Sequence, residues 1–438
     1  KKIIMKKKIV YVGLSLDIIH HGHINLIKKA SSYGDLIIGL ITDKALESYK
    51  KLPLLEYESR KKILDNIKGV KKIVPQNEWS YYSNILKYKP DIMVHGDDWN
   101  LSENGRELKN ESIKALKKIN SKLIEIPHTK NISSSILQET MFKNGLINSN
   151  RQTYFRRILQ SKKLCRILET HSPLSALIAE NTFLEKKNKR LEFDGFWSSS
   201  LTDSTLKGKP DIEVLDIRGR LNNINDIFDV TTKPLIMDID TGGKNEHFEI
   251  NIKSLENAGI SAVIMEDKKG LKKNSLFGLE VKQEQDTIKG FSKKIALGKK
   301  ATRNNIMIIS RIESLILNKS VDDAFKRAES YVGAGADGVM IHSKDKNPKE
   351  VFKFANKFKK NFKDIPLVVV PSSFNHVKEK QLIENGFNIV IYANHMLRAS
   401  YPAMENIAKN ILKHGRSYES DKSLMSIKEI LNLIPGTR

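Results

Sequence analysis

Twice along the chain, short apolar runs of strand length alternate with amphipathic stretches of helix length. Few folds accommodate that alternation. Parallel strands need a long crossover, usually a helix, so strand–helix repetition implies a parallel sheet. In residues 8–128 the strands read as KIVYVGLSL, DLIIGLIT, KKIVPQ, DIMVHG and KLIEIP, separated by helices such as INLIKKASSYG and YESRKKILDNI. This predicts an α/β, doubly wound parallel-sheet domain. From about 131 to about 162 the pattern is helical and irregular, and NGLINSNRQ (144–152) has the Gly, Asn and Ser of a connector. A second series follows: FDGFWSS, PLIMDID, AVIMED, IMIISRIE, GVMIHS, PLVVVPS and NIVIYAN. Most of these end in a polar or charged residue, as in a β/α (TIM-like) barrel, whose chemistry sits at the C-terminal ends of its strands. An eighth strand is not obvious; LCRILETHS is the early candidate. The expected division is 1–143 for a nucleotide-binding domain, 144–154 for a linker and 155–438 for the barrel.

Composition narrows the function classes. At 438 residues the chain exceeds one typical core. Its single cysteine, Cys165, excludes an internal disulfide and fits a reducing cytoplasm. No apolar run approaches the ~20 residues of a membrane span. The start, KKIIMKKKIVYVGLSLD, is basic and then apolar, but Asp17 stops the apolar part, so it reads as a first strand rather than an export signal. A net charge of +24 raises nucleic acid as a partner. The lysines are scattered, however, and no helix-turn-helix, RNP or zinc-finger pattern is present. Anion sites for small phosphorylated molecules are the stronger reading, with no nucleic acid expected and a homo-oligomer (dimer or tetramer) anticipated.

In the first domain, strand gives way to helix at 13-GLSLDIIHHGHINLIKKA-30. His20 and His23 flank Gly22 at a helix N-terminus, where free N–H groups and the dipole favour phosphate. Residues 8–140 resemble the cytidylyltransferases that make CDP-glycerol and CDP-ethanolamine. The resemblance rests on the His20–His23 motif, 57-YESR-60, 95-HGDDW-99 and 128-HTKNISSS-135. It implies attack of a phosphate or phosphonate oxygen on the α-phosphorus of CTP, with His20 and His23 stabilising the transition state. Nucleotide contacts would come from Gly13, Gly22, Lys50, Lys51, Gly96, Asp97, Ser133 and Ser134, with Mg²⁺ accompanying CTP. His128 stands where the family has arginine, which implies a weaker hold on the triphosphate.

In the second domain, Asp238 and Asp240 follow PLIM, Glu266 and Asp267 follow AVIM, Arg311 follows IMIIS and His342 follows GVMI. Carboxylates on neighbouring strand ends make an oxygen-rich site suited to Mg²⁺, and Arg311 and His342 would hold an anion beside it. From about 155 onward the chain resembles phosphoenolpyruvate mutase, of the isocitrate lyase superfamily. The motifs are WSSSL (197–201), DIDTGG (238–243), EDKKGLKKNS (266–275), ISRIES (309–314), IHSK (341–344) and YANHMLRAS (392–400). The resemblance implies that Asp238, Asp240 and Glu266 serve the metal, and that Trp197, Ser199, Ser200, Arg311 and His342 contact substrate. It implies that Asp211 lies beside the migrating group and that Lys272, Asn274 and Ser275 reach in from a gating loop. Superfamily lyases carry a cysteine at that loop position. Here Asn274-Ser275 stand there, and Cys165 lies far off in a stretch that also reads as helix.

The combined expectation is a bifunctional enzyme of phosphonate biosynthesis. The barrel would isomerise phosphoenolpyruvate to phosphonopyruvate, and the first domain would transfer CMP from CTP to a small phosphonate or phosphate monoester. The rival readings are a phosphonopyruvate hydrolase with the same first domain, and a barrel enzyme with a non-catalytic nucleotide-binding domain.

Overall fold

The computed structural model describes residues 7–47, 52–129, 150–186, 189–303 and 305–434. The first unit is a five-stranded sheet. Its strands are β1 (Ile9–Leu14), β2 (Asp35–Ile41), β3 (Val70–Gln76), β4 (Ile92–Gly96) and β5 (Lys122–Ile126), in the order β3-β2-β1-β4-β5. All neighbours are parallel. Central β1 is buried along nearly its whole length, as a strand covered on both faces must be. Edge strand β3 alternates toward solvent and tolerates Pro75. The helices between are α1 (His21–Ser31), α2 (Asp43–Glu47), α3 (Tyr57–Asp65), α4 (Tyr82–Tyr88) and α5 (Glu103–Lys118). Strand order reverses between β1 and β4, which opens a crevice beyond their C-terminal ends.

The second unit is a closed barrel of parallel strands. In chain order these are Cys165–Glu169, Gly195–Ser198, Leu235–Asp238, Ala262–Glu266, Met307–Ile312, Gly338–Ile341, Leu367–Val369 and Ile389–Tyr392. Side chains alternate along each strand. Cys165, Ile167, Ile236, Ile264 and Ile309 fill the bore, while Leu168, Met237, Val263 and Ile308 face the outer helices. The eighth strand is the LCRILE segment: it pairs with Ile389–Tyr392 on one side and Gly195–Ser198 on the other, closing the barrel. Cys165 is thus a buried strand residue, not a helical one. Six apolar-leaning residues do not complete a helix, whereas two partner strands satisfy every backbone group of a short run.

The helix Asn150–Ser161 plugs one end of the bore with Phe155 and Ile158, and Leu52 from the first unit joins the same cluster. Residues 150–154, read from sequence as the end of a linker, form its first turns, and 144–149 lie outside the described residues. The last barrel helix, His395–His414, buries no residue, and Leu412 is 85% exposed. The following helix Ile427–Leu433 is also exposed. Among the described residues no helix is long and apolar enough to cross a membrane.

Candidate active sites

The C-terminal ends of the barrel strands surround a cavity of about 560 Å³, open mouth included. One oxygen each from Asp238, Asp240 and Glu266 lies within 4.8 Å of the others, and all three residues are buried. Asp240 holds a left-handed backbone, φ 54°, which turns its carboxylate back toward Asp238. Glu213 secures that turn by accepting from Thr241 N at 2.8 Å and Thr241 Oγ1 at 2.6 Å. An all-oxygen donor set of three carboxylates fits a hard divalent cation such as Mg²⁺.

The loop after Ala262–Glu266 folds over this cluster. Lys272 Nζ donates to Asp211 Oδ1 at 2.6 Å and Ser200 Oγ at 2.5 Å, and also contacts Asp240. Asn274 Nδ2 donates to the other Asp211 oxygen at 2.9 Å. Ser275 Oγ donates to Glu313 Oε2 at 2.5 Å and accepts from Arg311 Nη2 at 2.8 Å. Ser200 Oγ in turn donates to Asp238 Oδ2 at 3.0 Å, which ties this serine to the carboxylate cluster. Trp197, Ser199 and Arg311 line the cavity with them, and Trp197 Nε1 is buried without an acceptor among the described residues. The twelve barrel residues that the resemblance assigns to metal, substrate or catalysis therefore meet around one cavity, Asp240 through Lys272 and the carboxylate cluster.

The electrostatics are tightly balanced. Burial, reinforced by the Asp238 charge, pushes Asp240 up to about 7 against the pull of Lys272 and Arg220. Burial alone would raise Asp238 as well, but Lys272, Arg311 and Arg220 outweigh it and hold that carboxyl below its ordinary value. Desolvation would strip Lys272 of its proton, but Asp240, Asp238 and Glu266 hold it firmly charged. Burial and the Arg311 charge push His342 down, so its neutral Nδ1 accepts from Arg311 Nη2 at 2.8 Å.

Three supporting residues escaped the sequence reading. Glu313 binds Arg311 Nε at 2.6 Å, Lys268 Nζ lies 2.6 Å from Glu266, and Arg220 Nε bonds Asp203 at 2.8 Å beneath the aspartates. Glu313 was findable: it stands two residues past Arg311, on the same face of one strand end. Asp267, adjacent to Glu266, points the other way. It accepts from Tyr331 OH at 2.8 Å, Gln285 Nε2 at 2.8 Å and Glu313 N at 2.9 Å, and pairs with Arg327 at 3.2 Å. It anchors the loop instead of lining the cavity.

In the first unit, Gly13 and the His20–Gly22–His23 motif follow β1, and Gly96 and Asp97 follow β4, so both sets stand at the crevice between adjacent strands. His20 is the N-cap of α1, and its ring lies 3.9 Å from that of His23. Burial, with the His21 charge, pushes His20 down and favours its neutral form. Gly13 leaves room for Tyr81, whose ring a Cβ would strike; Tyr81 OH meets His95 Nε2 at 3.1 Å. His95 stacks on Trp99 at 3.9 Å, and Trp99 Nε1 donates to Glu125 at 2.7 Å. His128 donates to Asp97 Oδ1 from N at 2.9 Å and lies 2.7 Å from it through Nδ1, holding that carboxyl low. Thr129 reaches Asn25 at 3.4 Å and would touch a Cβ at Gly22. The segment after β5 thus crosses both halves of the crevice. Lys50, Lys51, Ser133 and Ser134 lie outside the described residues.

A buried carboxylate trio at a barrel mouth, flanked by Arg311, His342 and a lysine-bearing loop, gives this β/α barrel the donors to hold a divalent cation with an anion beside it. The family model described as phosphoenolpyruvate phosphomutase matches residues 155–412, more than half the chain, and the chain belongs to that family. The model described as cytidylyltransferase-like matches residues 11–140. The chain is 31% identical over 293 residues to a phosphoenolpyruvate phosphomutase of Tetrahymena pyriformis, covering 66% of this chain and 93% of the relative. A glycerol-3-phosphate cytidylyltransferase of Bacillus spizizenii is 39% identical over 95 residues, 21% of this chain and 73% of the relative. Among solved structures, a phosphonopyruvate hydrolase complexed with oxalate and Mg²⁺ superimposes with a TM-score of 0.55 at 31% identity, covering 67% of this chain and 94% of that one.

Proposed function

We propose that the barrel interconverts phosphoenolpyruvate and phosphonopyruvate. In the forward direction the P–O bond to the enol oxygen breaks and a P–C bond forms at C3, with no water consumed. A hydrolase passes the same phosphoryl group to water. The observation that carries the mutase reading is the engagement of both Asp211 oxygens, by Lys272 at 2.6 Å and by Asn274 at 2.9 Å. An aspartate so occupied is poorly placed to take a proton from water, and the loop that occupies it also covers the cavity. Phosphoryl transfer is largely loose and metaphosphate-like, so the protein's task is to position and neutralise. Asp211 would stand beside the migrating group, with Lys272, Asn274 and Ser275 above it. Arg311, His342, Trp197, Ser199 and Ser200 would hold the substrate. Mg²⁺ held by Asp238, Asp240 and Glu266 would supply charge neutralisation. The test is Mg²⁺-dependent conversion of phosphonopyruvate: phosphoenolpyruvate supports the reading, and free pyruvate with phosphate supports the hydrolase.

The first domain, which we assign to about 1–143, would transfer CMP from CTP, with its Mg²⁺, to a small phosphonate or phosphate monoester. His20 and His23 would serve the transition state, and Gly13, Gly22, Gly96 and Asp97 the nucleotide, with Lys50, Lys51, Ser133 and Ser134 on the phosphates. The convergence of β1, β4 and the His128–Thr129 segment on one crevice supports this. Pyrophosphate release screened over four nucleoside triphosphates and a panel of acceptors tests it; no release from any pair would leave a binding module. Both activities suit the cytoplasm, where the buried Cys165 stays reduced. The exposed apolar side chains of 395–434 support self-association into a dimer or tetramer.

A further inference from the structure

The helix Asn150–Ser161 is bound on two sides. Toward the barrel, Phe155 and Ile158 enter the bore, and Arg151 Nη2 donates to Phe228 O at 3.1 Å and Thr231 O at 2.8 Å. Gln152 Nε2 donates to Glu256 O at 2.8 Å and Ile260 O at 3.0 Å. The helix is therefore fixed to the barrel at four positions within two turns. Tyr154 and Arg157, three residues apart and so on one face, turn to the first unit. Tyr154 OH accepts from Leu52 N at 3.2 Å. Arg157 Nη1 donates to Pro53 O at 2.5 Å and Leu54 O at 2.9 Å, and Nη2 donates to Leu55 O at 3.3 Å and Asp43 Oδ2 at 3.1 Å.

Both groups of Arg157 partners lead to the loop between β1 and the His20 motif. Leu54 N donates to Asp17 Oδ1 at 2.6 Å. The other Asp43 oxygen takes Arg60 Nη2 at 2.6 Å, and Arg60 Nη1 donates to Ser15 O. Between Ser15 and Asp17 stands Leu16, buried, with φ 46°. A leucine in the left-handed region is strained and persists only where its surroundings over-determine it. Here the residue on each side is tied, and both ties converge on Arg157.

We propose that Arg157, carried on the barrel's plug helix, is a positioning residue for the nucleotidyl-transfer site: it holds the 52–55 segment and Asp43 so that the strained 15–17 turn delivers His20 to the crevice. This rests on reading the first domain as a nucleotidyltransferase. It makes the barrel a structural part of that site, although the two reaction centres share no residue. A lysine at 157 would keep the charge but lose the fork that grips three carbonyls and a carboxylate together.

The experiment compares the full chain with Arg157→Ala and Arg157→Lys. The expected result is faster amide exchange at 15–19 in Arg157→Ala with unchanged exchange in the barrel strands. CTP-dependent pyrophosphate release should fall about tenfold or more, chiefly in kcat, because small misplacement of catalytic groups is costly. Arg157→Lys should recover part of this, and phosphonopyruvate conversion should stay at the wild-type rate in both variants. Unchanged exchange at 15–19 overturns the proposal, as does a loosened loop with full pyrophosphate release. A wild-type chain that releases no pyrophosphate contradicts the nucleotidyltransferase reading instead, and the exchange comparison still decides whether Arg157 holds the turn. Should Arg157→Ala fail to fold, Arg157→Lys carries the same comparison, with intermediate exchange expected and unchanged exchange overturning it.

Discussion

At the scale of single residues, Asp240 makes the most exposed prediction. Its carboxyl is pushed up to about 7 by burial and by Asp238. Below that pH it keeps its proton; above it, the carboxylate is free. A cation entering the trio must displace the proton, so Mg²⁺ affinity should rise as pH increases through about 7. Calorimetric Mg²⁺ titrations at pH 6 and pH 8 check this, and equal affinities would contradict it. Two substitutions separate the reaction centres. Asp211→Ala should abolish phosphonopyruvate conversion and spare pyrophosphate release. His23→Ala should spare the barrel and slow nucleotidyl transfer by ~10²-fold, the typical loss on removing a positioned transition-state donor. Assaying both variants for both reactions checks the pair; loss of both activities in a folded variant would sink the independence of the sites. The site's principal residues were legible because each ends an apolar run: Asp238, Glu266, Arg311 and His342 all stand at strand C-termini. Asp267 was less legible. Its immediate neighbour points into the cavity, and only the pleat decides which of two successive acids does so.

At the scale of elements, the strands were legible from their apolar runs, and the helical pattern up to about 162 was legible too, but not that its last part plugs the barrel. That stretch, NRQTYFRRILQS, carries three arginines and two glutamines, so it scarcely looks like a buried element. Those polar side chains are used: Arg151 and Gln152 satisfy carbonyls at the barrel's end, and Arg157 satisfies carbonyls of the first unit. Carbonyl partners for such groups lie 77 to 108 residues away, beyond the reach of local pattern. The apolar contribution comes from few residues, so each matters. Phe155 is fully buried in the bore cluster, and Phe155→Ala should destabilise the barrel by about 3–5 kcal/mol, the usual cost of emptying a phenylalanine site. Chemical denaturation of the two proteins measures it; a loss under about 1 kcal/mol would mean the bore is closed by something other than this helix. The first barrel strand was ambiguous for a related reason. Six residues of mixed polarity define neither period, and pairing on both sides decides the matter.

At the scale of the whole molecule, two units of different architecture meet through the plug helix. Many of the apolar residues left exposed lie at the other extreme of the chain, on 395–434: Tyr401, Met404, Leu412, Ile427 and Leu431 are all more than half exposed. A surface of that kind calls for a partner. Sedimentation equilibrium should return a dimer or tetramer mass, and a monomer at micromolar concentration would contradict self-association. Mutase and hydrolase relatives share the fold at the same level of identity, so the two reactions are told apart by their products. The direct measurement is a ³¹P NMR time course of the purified chain with Mg²⁺ and phosphonopyruvate. The phosphonate resonance should be replaced by that of phosphoenolpyruvate, with no inorganic phosphate growing beside it. Inorganic phosphate accumulating in step with loss of phosphonopyruvate, without phosphoenolpyruvate, would contradict the assignment of Lys272 and Asn274 as a cover that keeps water from the migrating group.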